Sequence, residues 1–169
     1  QVNRITACIA PLCIAALTAC SNEDGPASAA PAKEVVDEKL AAVGSIEVTA
    51  KLIEVPGLDE YEGDFPANDL GYDYVYPMKY KVIETHRGAL TAETIVVGHY
   101  NPLKPRSEAA DGRCPDIGGN LKRIRVGDTH RMALEPAIDD HYMGPIFNAY
   151  HDQDIGPIYW AVWTNAAGK

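Results

Sequence analysis

From residue 44 onward the chain alternates apolar and polar positions, the period-two pattern of strands buried on one face. In 45–55, Ile46, Val48, Ala50 and Leu52 fall on one side. An acidic, turn-rich stretch runs through Pro56 and Gly57 to Gly71, and 72–85 then reads as a second, longer strand with Met78, Tyr80 and Val82 inward. Gly88 ends it. The β-branched run 94–99 suits the middle of a sheet and makes a third strand. Pro102 and Pro105 break the pairing, because proline brings no donor to a ladder. A fourth strand is expected at 129–135 and a fifth at 158–164, with one short helix at 138–150 between them. Asp139 and Asp140 suit the first turn of that helix, and Gly144-Pro145 would kink it. The pattern predicts a mainly β domain of five strands.

The first residues follow a different logic. One positive charge, Arg4, precedes an apolar run over 5–19 that ends in small residues. At about fifteen residues it is shorter than the roughly twenty that cross a bilayer as a helix, and Pro11 interrupts it. This is the layout of a secretion signal. Leu17-Thr18-Ala19-Cys20 at its end resembles the lipobox of bacterial lipoproteins. The resemblance implies cleavage after Ala19, a lipidated Cys20, and an extracytoplasmic protein anchored to the inner or outer membrane by its acyl chains. The expected organisation is a signal peptide at 1–19, the lipidated cysteine and a flexible tether at 20–43, and a single domain at 44–169. The tether is rich in Ser, Ala, Pro and acids, although 34–43 is also compatible with a short helix.

Loss of the signal changes the cysteine and charge balance. Of four cysteines, Cys8 and Cys13 leave and Cys20 carries lipid, so Cys114 alone remains and no internal disulfide forms. Removing Arg4 leaves 14 basic residues against 24 acidic ones, a balance of −10 that disfavours nucleic acid as a partner. The cations are unevenly placed. Lys104, Arg106, Arg113, Lys122, Arg123, Arg125 and Arg131 are half of them, opposed in that stretch by Glu108, Asp111, Asp116 and Asp128. Arginine forks match carboxylate or phosphate, so Arg106, Arg123, Arg125 and Arg131 form a candidate surface for an anion or a partner; the competing reading is that they neutralise the domain's own acids.

Five strands of this spacing suggest a small Greek-key barrel of the OB type. Three segments resemble the netrin-like modules, the superfamily that includes tissue inhibitors of metalloproteases: 48–52 as first strand, Tyr80 to Gly88 as second, and Arg125 to Leu134 around Gly127-Asp128. The likeness spans about two thirds of the mature chain and concerns strand edges, not catalytic residues. Those inhibitors chelate metal with a free amino-terminal cysteine and are laced by disulfides, so protease inhibition is not carried over. The whole chain resembles bacterial envelope lipoproteins, some of which accompany cell-surface polysaccharide modification.

Further candidate sites follow from residue type. Asp139, Asp140, His141, His151 and Asp154 supply oxygen and imidazole ligands for a divalent metal, at spacings that match neither an EF-hand nor a zinc-protease helix. Cys114 follows Arg113, which would favour its thiolate, so a catalytic thiol with one of the five histidines is a second candidate. Tyr72, Tyr74 and Tyr76 share one strand face, either as an exposed aromatic ledge for sugars or a protein, or as packing. His86, His99 and His130 read as satisfied structural residues. The function expected is a binding or scaffolding lipoprotein, without a cofactor, that engages an envelope protein or an anionic polysaccharide. The alternative is a metal-assisted hydrolase or transferase acting on envelope polymers.

Overall fold

The computed structural model describes residues 38–57, 73–151 and 153–167. The chain divides into units 1–34 and 35–169, and every described residue belongs to the second. The element order is α1 (Glu38–Ala42), β1 (Ile46–Glu54), β2 (Val75–Arg87), β3 (Thr94–Tyr100), β4 (Thr129–Glu135) and β5 (Ile158–Ala166). The mainly β architecture follows the alternation: Val48, Ala50 and Leu52 are fully buried in β1, as are Met78 and Tyr80 in β2 and Met132 and Leu134 in β4.

The five strands form one mixed sheet that closes into a ring in the order β1-β2-β3-β5-β4. β2 makes closure possible. Its first half, Val75 to Lys81, pairs with β3, and its second half, Lys79 to Arg87, pairs with β1. Three register shifts against β1 accompany this bend, and such irregularities increase local twist. β4 lies antiparallel to both β1 and β5, while β3 and β5 meet in a short parallel contact from Val96↔Ile158 to Gly98↔Trp160. Inside the ring is one apolar core, with Leu121 and Ile124 of the β3–β4 connection packed into it. A second core lies outside, where Ala109, Cys114, Ile117, Ile138 and Tyr142 cover Val75, Tyr100, Trp160 and Val162. Gly98 allows this covering, because a Cβ there would stand 2.6 Å from Ile138 Cδ1.

The helix expected between the fourth and fifth strands is corrected. The five-residue α1 precedes β1, and only a 3₁₀ turn, Ile138–Asp140, follows β4. Ala137 enters that turn in the left-handed region at φ 56°. A few residues on, the Phe147 N–H donates to the Val75 carbonyl and the Pro145 carbonyl accepts from the Val75 N–H. β2 thus takes backbone groups that a continued helix would need for itself. The second strand also begins later than expected, at Val75.

One side chain binds the C-terminal end of α1. The Arg87 guanidinium donates to the carbonyls of Leu40, Ala41, Val43 and Gly44, and stands 3.8 Å from Glu47 Oε2. Carbonyls of a last helical turn have no partners within the helix, so a cation there both bonds them and matches the helix dipole. Leu40, 2% exposed, supplies the apolar part of the attachment. Arg87→Ala is expected to remove about 2 kcal/mol, on the scale of hydrogen bonds from a charged donor. Amide exchange in 38–45 should then rise to open-chain rates while β1 to β5 stay protected. Unchanged exchange would show that the Arg87 bonds do not dock the helix.

Candidate functional site

Three strands each place one polar side chain in the interior of the ring. Tyr80 of β2, His99 of β3 and His130 of β4 share the inward parity of Met78, Val97 and Met132, and all three have no exposed surface. The Tyr80 hydroxyl lies 2.9 Å from His99 Nε2 and 3.1 Å from His130 Nδ1. A single hydroxyl proton serves one imidazole, so the oxygen donates to one ring and accepts an N–H from the other. The two rings therefore present opposite chemistry at their far nitrogens, one an N–H and the other a bare nitrogen. Those atoms, His99 Nδ1 and His130 Nε2, are buried with no hydrogen-bond partner among the described residues.

Arg106, in the connection between β3 and β4, acts on this cluster through its charge, which bears on Tyr80 and His99. Its backbone N–H donates to Leu121 O at 2.9 Å, which ties a 3₁₀ turn, Arg106–Glu108, to the segment that plugs the ring. Its side chain is buried at 1% exposure, and Nη1 donates to the Tyr100 carbonyl at 2.7 Å. Burial lowers the guanidinium to about 10, so it remains charged at neutral pH. Burial, and then the Arg106 charge, push His99 well below the usual histidine range. Burial likewise lowers His130 to about 4, with Asp128 opposing, and raises the Tyr80 phenol. At neutral pH the cluster is one cation beside two neutral imidazoles and a neutral phenol, closed off from solvent.

The other sequence candidates are scattered. Arg106 was expected on a surface and is instead a core residue. Arg131 lies at 2.8 Å from Glu47 Oε1 through Nη2, and Glu47 is only 5% exposed, so this arginine neutralises an acid of the domain itself. Arg123 and Arg125 are exposed on either side of buried Ile124. Tyr74 and Tyr76 are buried, with Phe147 edge-on to the first and stacked at 5.3 Å on the second, so they pack and form no exposed ledge. Tyr72 and Cys20 lie outside the described residues.

Asp139, Asp140, His141, His151 and Asp154 are all exposed, and the described residues hold no group of three or more His, Cys, Asp or Glu placed for a metal. Asp154 instead accepts the Gly156 N–H. Cys114 is buried. Burial, and then Asp111, raise its thiol to about 11 against the opposing effect of Arg113, so the expected activation by Arg113 is overturned. His86 is bonded on the outer face, 2.8 Å from Thr49 Oγ1.

The interior cluster was missed as a unit, although strand parity carried the signal. Tyr80 follows Met78 by two, His99 follows Val97 by two, and His130 precedes Met132 by two. No helix among the described residues is long and apolar enough to cross a membrane. Compared with known families, curated proteins and solved structures, the chain matches none.

Proposed function

We propose that this chain is an extracytoplasmic binding module, held at a membrane by lipid on Cys20, that engages an anionic surface of an envelope polysaccharide or protein. The observation that carries the reading is the burial pattern across 121–125, in which residues 121 and 124 are buried and 122, 123 and 125 are exposed. Leu121 and Ile124 are sunk in the ring, at 6% and 7% exposure, and this turns Lys122, Arg123 and Arg125 outward. A plug anchored by two apolar side chains presents cations on a rigid base, which keeps the entropy lost on binding small. The strand order, with β3 parallel to β5 and the third connection across one end, supports an OB-type, netrin-like barrel, a fold that hosts many binding functions. The lipobox at Leu17 to Cys20 supports the address.

The double reversal Arg123→Glu, Arg125→Glu tests the reading. Binding of the purified domain to an envelope fraction should fall at least tenfold and lose its salt dependence. The fold should survive, with a loss of no more than about 2 kcal/mol, the scale of one exposed ion pair at each arginine. Binding that survives the reversal, or a variant that unfolds, would assign these arginines to the domain's own structure.

A further inference from the structure

The outer wall of the ring sets two lysines face to face. In the β1–β2 ladder Lys51 stands directly opposite Lys81, and both are exposed. Like charges in opposed positions weaken a sheet, because their Cβ atoms are only about 5 Å apart. The same ladder shows the usual solution nearby, where Glu54 lies opposite Lys79 and its Oε2 is 2.7 Å from the Lys79 Nζ. In a chain of 24 acidic and 15 basic residues, two facing lysines run against the composition as well as against the ladder. Exposed apolar side chains adjoin them. Ile53 falls at the register shift between Leu52 and Glu54, where a bulge turns it toward solvent, and it is 42% exposed. Lys51 also faces Thr129 of β4, the residue that follows the turn from Arg125 to Asp128. This turn is tied to β1 twice: the Leu52 N–H donates to the Asp128 carbonyl at 2.9 Å, and the Gly127 N–H donates to the Leu52 carbonyl at 2.8 Å. Its tip carries Val126, 52% exposed. A turn position of this kind takes almost any residue, so the fold itself does not call for valine. Arg125, the next residue back, belongs to the cationic ridge.

We propose that this strip of the wall docks a protein segment whose acidic residues meet Lys51, Lys81 and Arg125 and whose apolar side chain packs on Ile53 and Val126. This rests on the reading that the cationic side of the ring binds an envelope anion, and it selects protein from the two partner classes. Aliphatic side chains gain from burial against another apolar side chain, a contact that a charged polysaccharide, clothed in hydroxyls and carboxylates, does not supply. Apolar contacts bordered by charged groups are the make-up of a protein–protein interface. A carboxylate seated between Lys51 and Lys81 offsets the repulsion that the free ladder carries.

Binding of the purified domain to an envelope fraction, before and after treatment of the fraction with protease or with sugar-cleaving periodate, tests it. Protease should abolish binding and periodate should leave it. Lys51→Glu turns the like-charge pair into an opposite one, so this variant should melt roughly 2 °C higher and yet bind at least tenfold more weakly. A residue with a purely structural role would not gain stability while losing binding. Ile53→Ser combined with Val126→Ser should weaken binding about tenfold with the salt dependence of the wild type. Binding that resists protease and yields to periodate overturns the proposal in favour of a polysaccharide and leaves the cationic reading standing. So does wild-type binding by both of these variants when the Arg123→Glu, Arg125→Glu double reversal has lost it. Binding that also survives the double reversal overturns both.

Discussion

Taking the protein from neutral pH to about pH 4 is expected to remove about 3 kcal/mol of folding stability through His130 alone, with His99 adding to the loss. Both imidazoles are neutral inside the ring, whereas in the unfolded chain they take protons near pH 6.5. As pH falls below that value the unfolded state binds more protons than the folded one, so stability declines. Above it the contribution is complete, and below about 4 the His130 part levels off as the folded ring protonates too. The groups facing the pair reinforce the direction. Among the described residues, Arg106 is a cation, Tyr80 is neutral, and Asp128, acting on His130, favours protonation. Urea unfolding across this range should show a slope steeper than one proton, and His130→Gln should flatten it. A slope unchanged by that substitution would place the acid sensitivity in the carboxylates.

Gly119→Ala should be the most damaging addition of a single methyl group. Gly119 has φ +136°, and a Cβ there would stand 1.8 Å from the Thr164 carbonyl oxygen, a backbone atom with no side-chain freedom to yield. The surrounding seam is densely bonded. Gly118 N–H donates to Val162 O and Thr164 N–H to Gly118 O, both at 2.9 Å, and Asn120 exchanges bonds with Asn165 and Ala166. Relief of the clash separates this seam and lifts Gly118 from under Trp163. Backbone strain together with overpacking puts the loss at roughly 3 kcal/mol or more. Gly112→Ala is the control, since a Cβ there meets nothing within 4 Å. A Gly119→Ala domain within about 1 kcal/mol of wild type would show that the seam is unimportant to the ring.

The strands were legible because each carries its own burial pattern. Residues 129–135 coincide with β4, and β1, β3 and β5 differ from expectation only at their ends. The connection after β4 misled for a physical reason. Ile138, Tyr142 and Ile146 recur every fourth residue, as on a helix, but they pack on the outer core from a turn and a bridge to Val75. Arg106 was illegible in another way. No local pattern distinguishes a buried arginine from a surface one; its burial follows from the whole connection folding under the ring, which only the pairing of Arg106 with Leu121 reveals. Tyr74 and Tyr76 depended on Phe147, about seventy residues away, which no reading of the strand alone supplies. Cys114 shows the same limit, since its neighbour Arg113 is overruled by burial and by Asp111.

Closure of the ring sets a timetable for its assembly. β1 is flanked by β2 and by β4, and the Ser45 hydroxyl donates to the Glu135 carboxylate across 90 positions. Contacts this distant in sequence make a chain fold in milliseconds to seconds and not in microseconds, because the long loop must be closed before the pairing rewards it. During that interval β1 has a neighbour on one flank only, and its other edge displays unpaired N–H and C=O groups. Synthesis runs from the amino end, so nothing can cover that edge until the chain beyond Glu135 has emerged. A newly made molecule is thus briefly an adhesive one, and the danger of pairing with a sibling chain belongs to its first moments and not to its folded life.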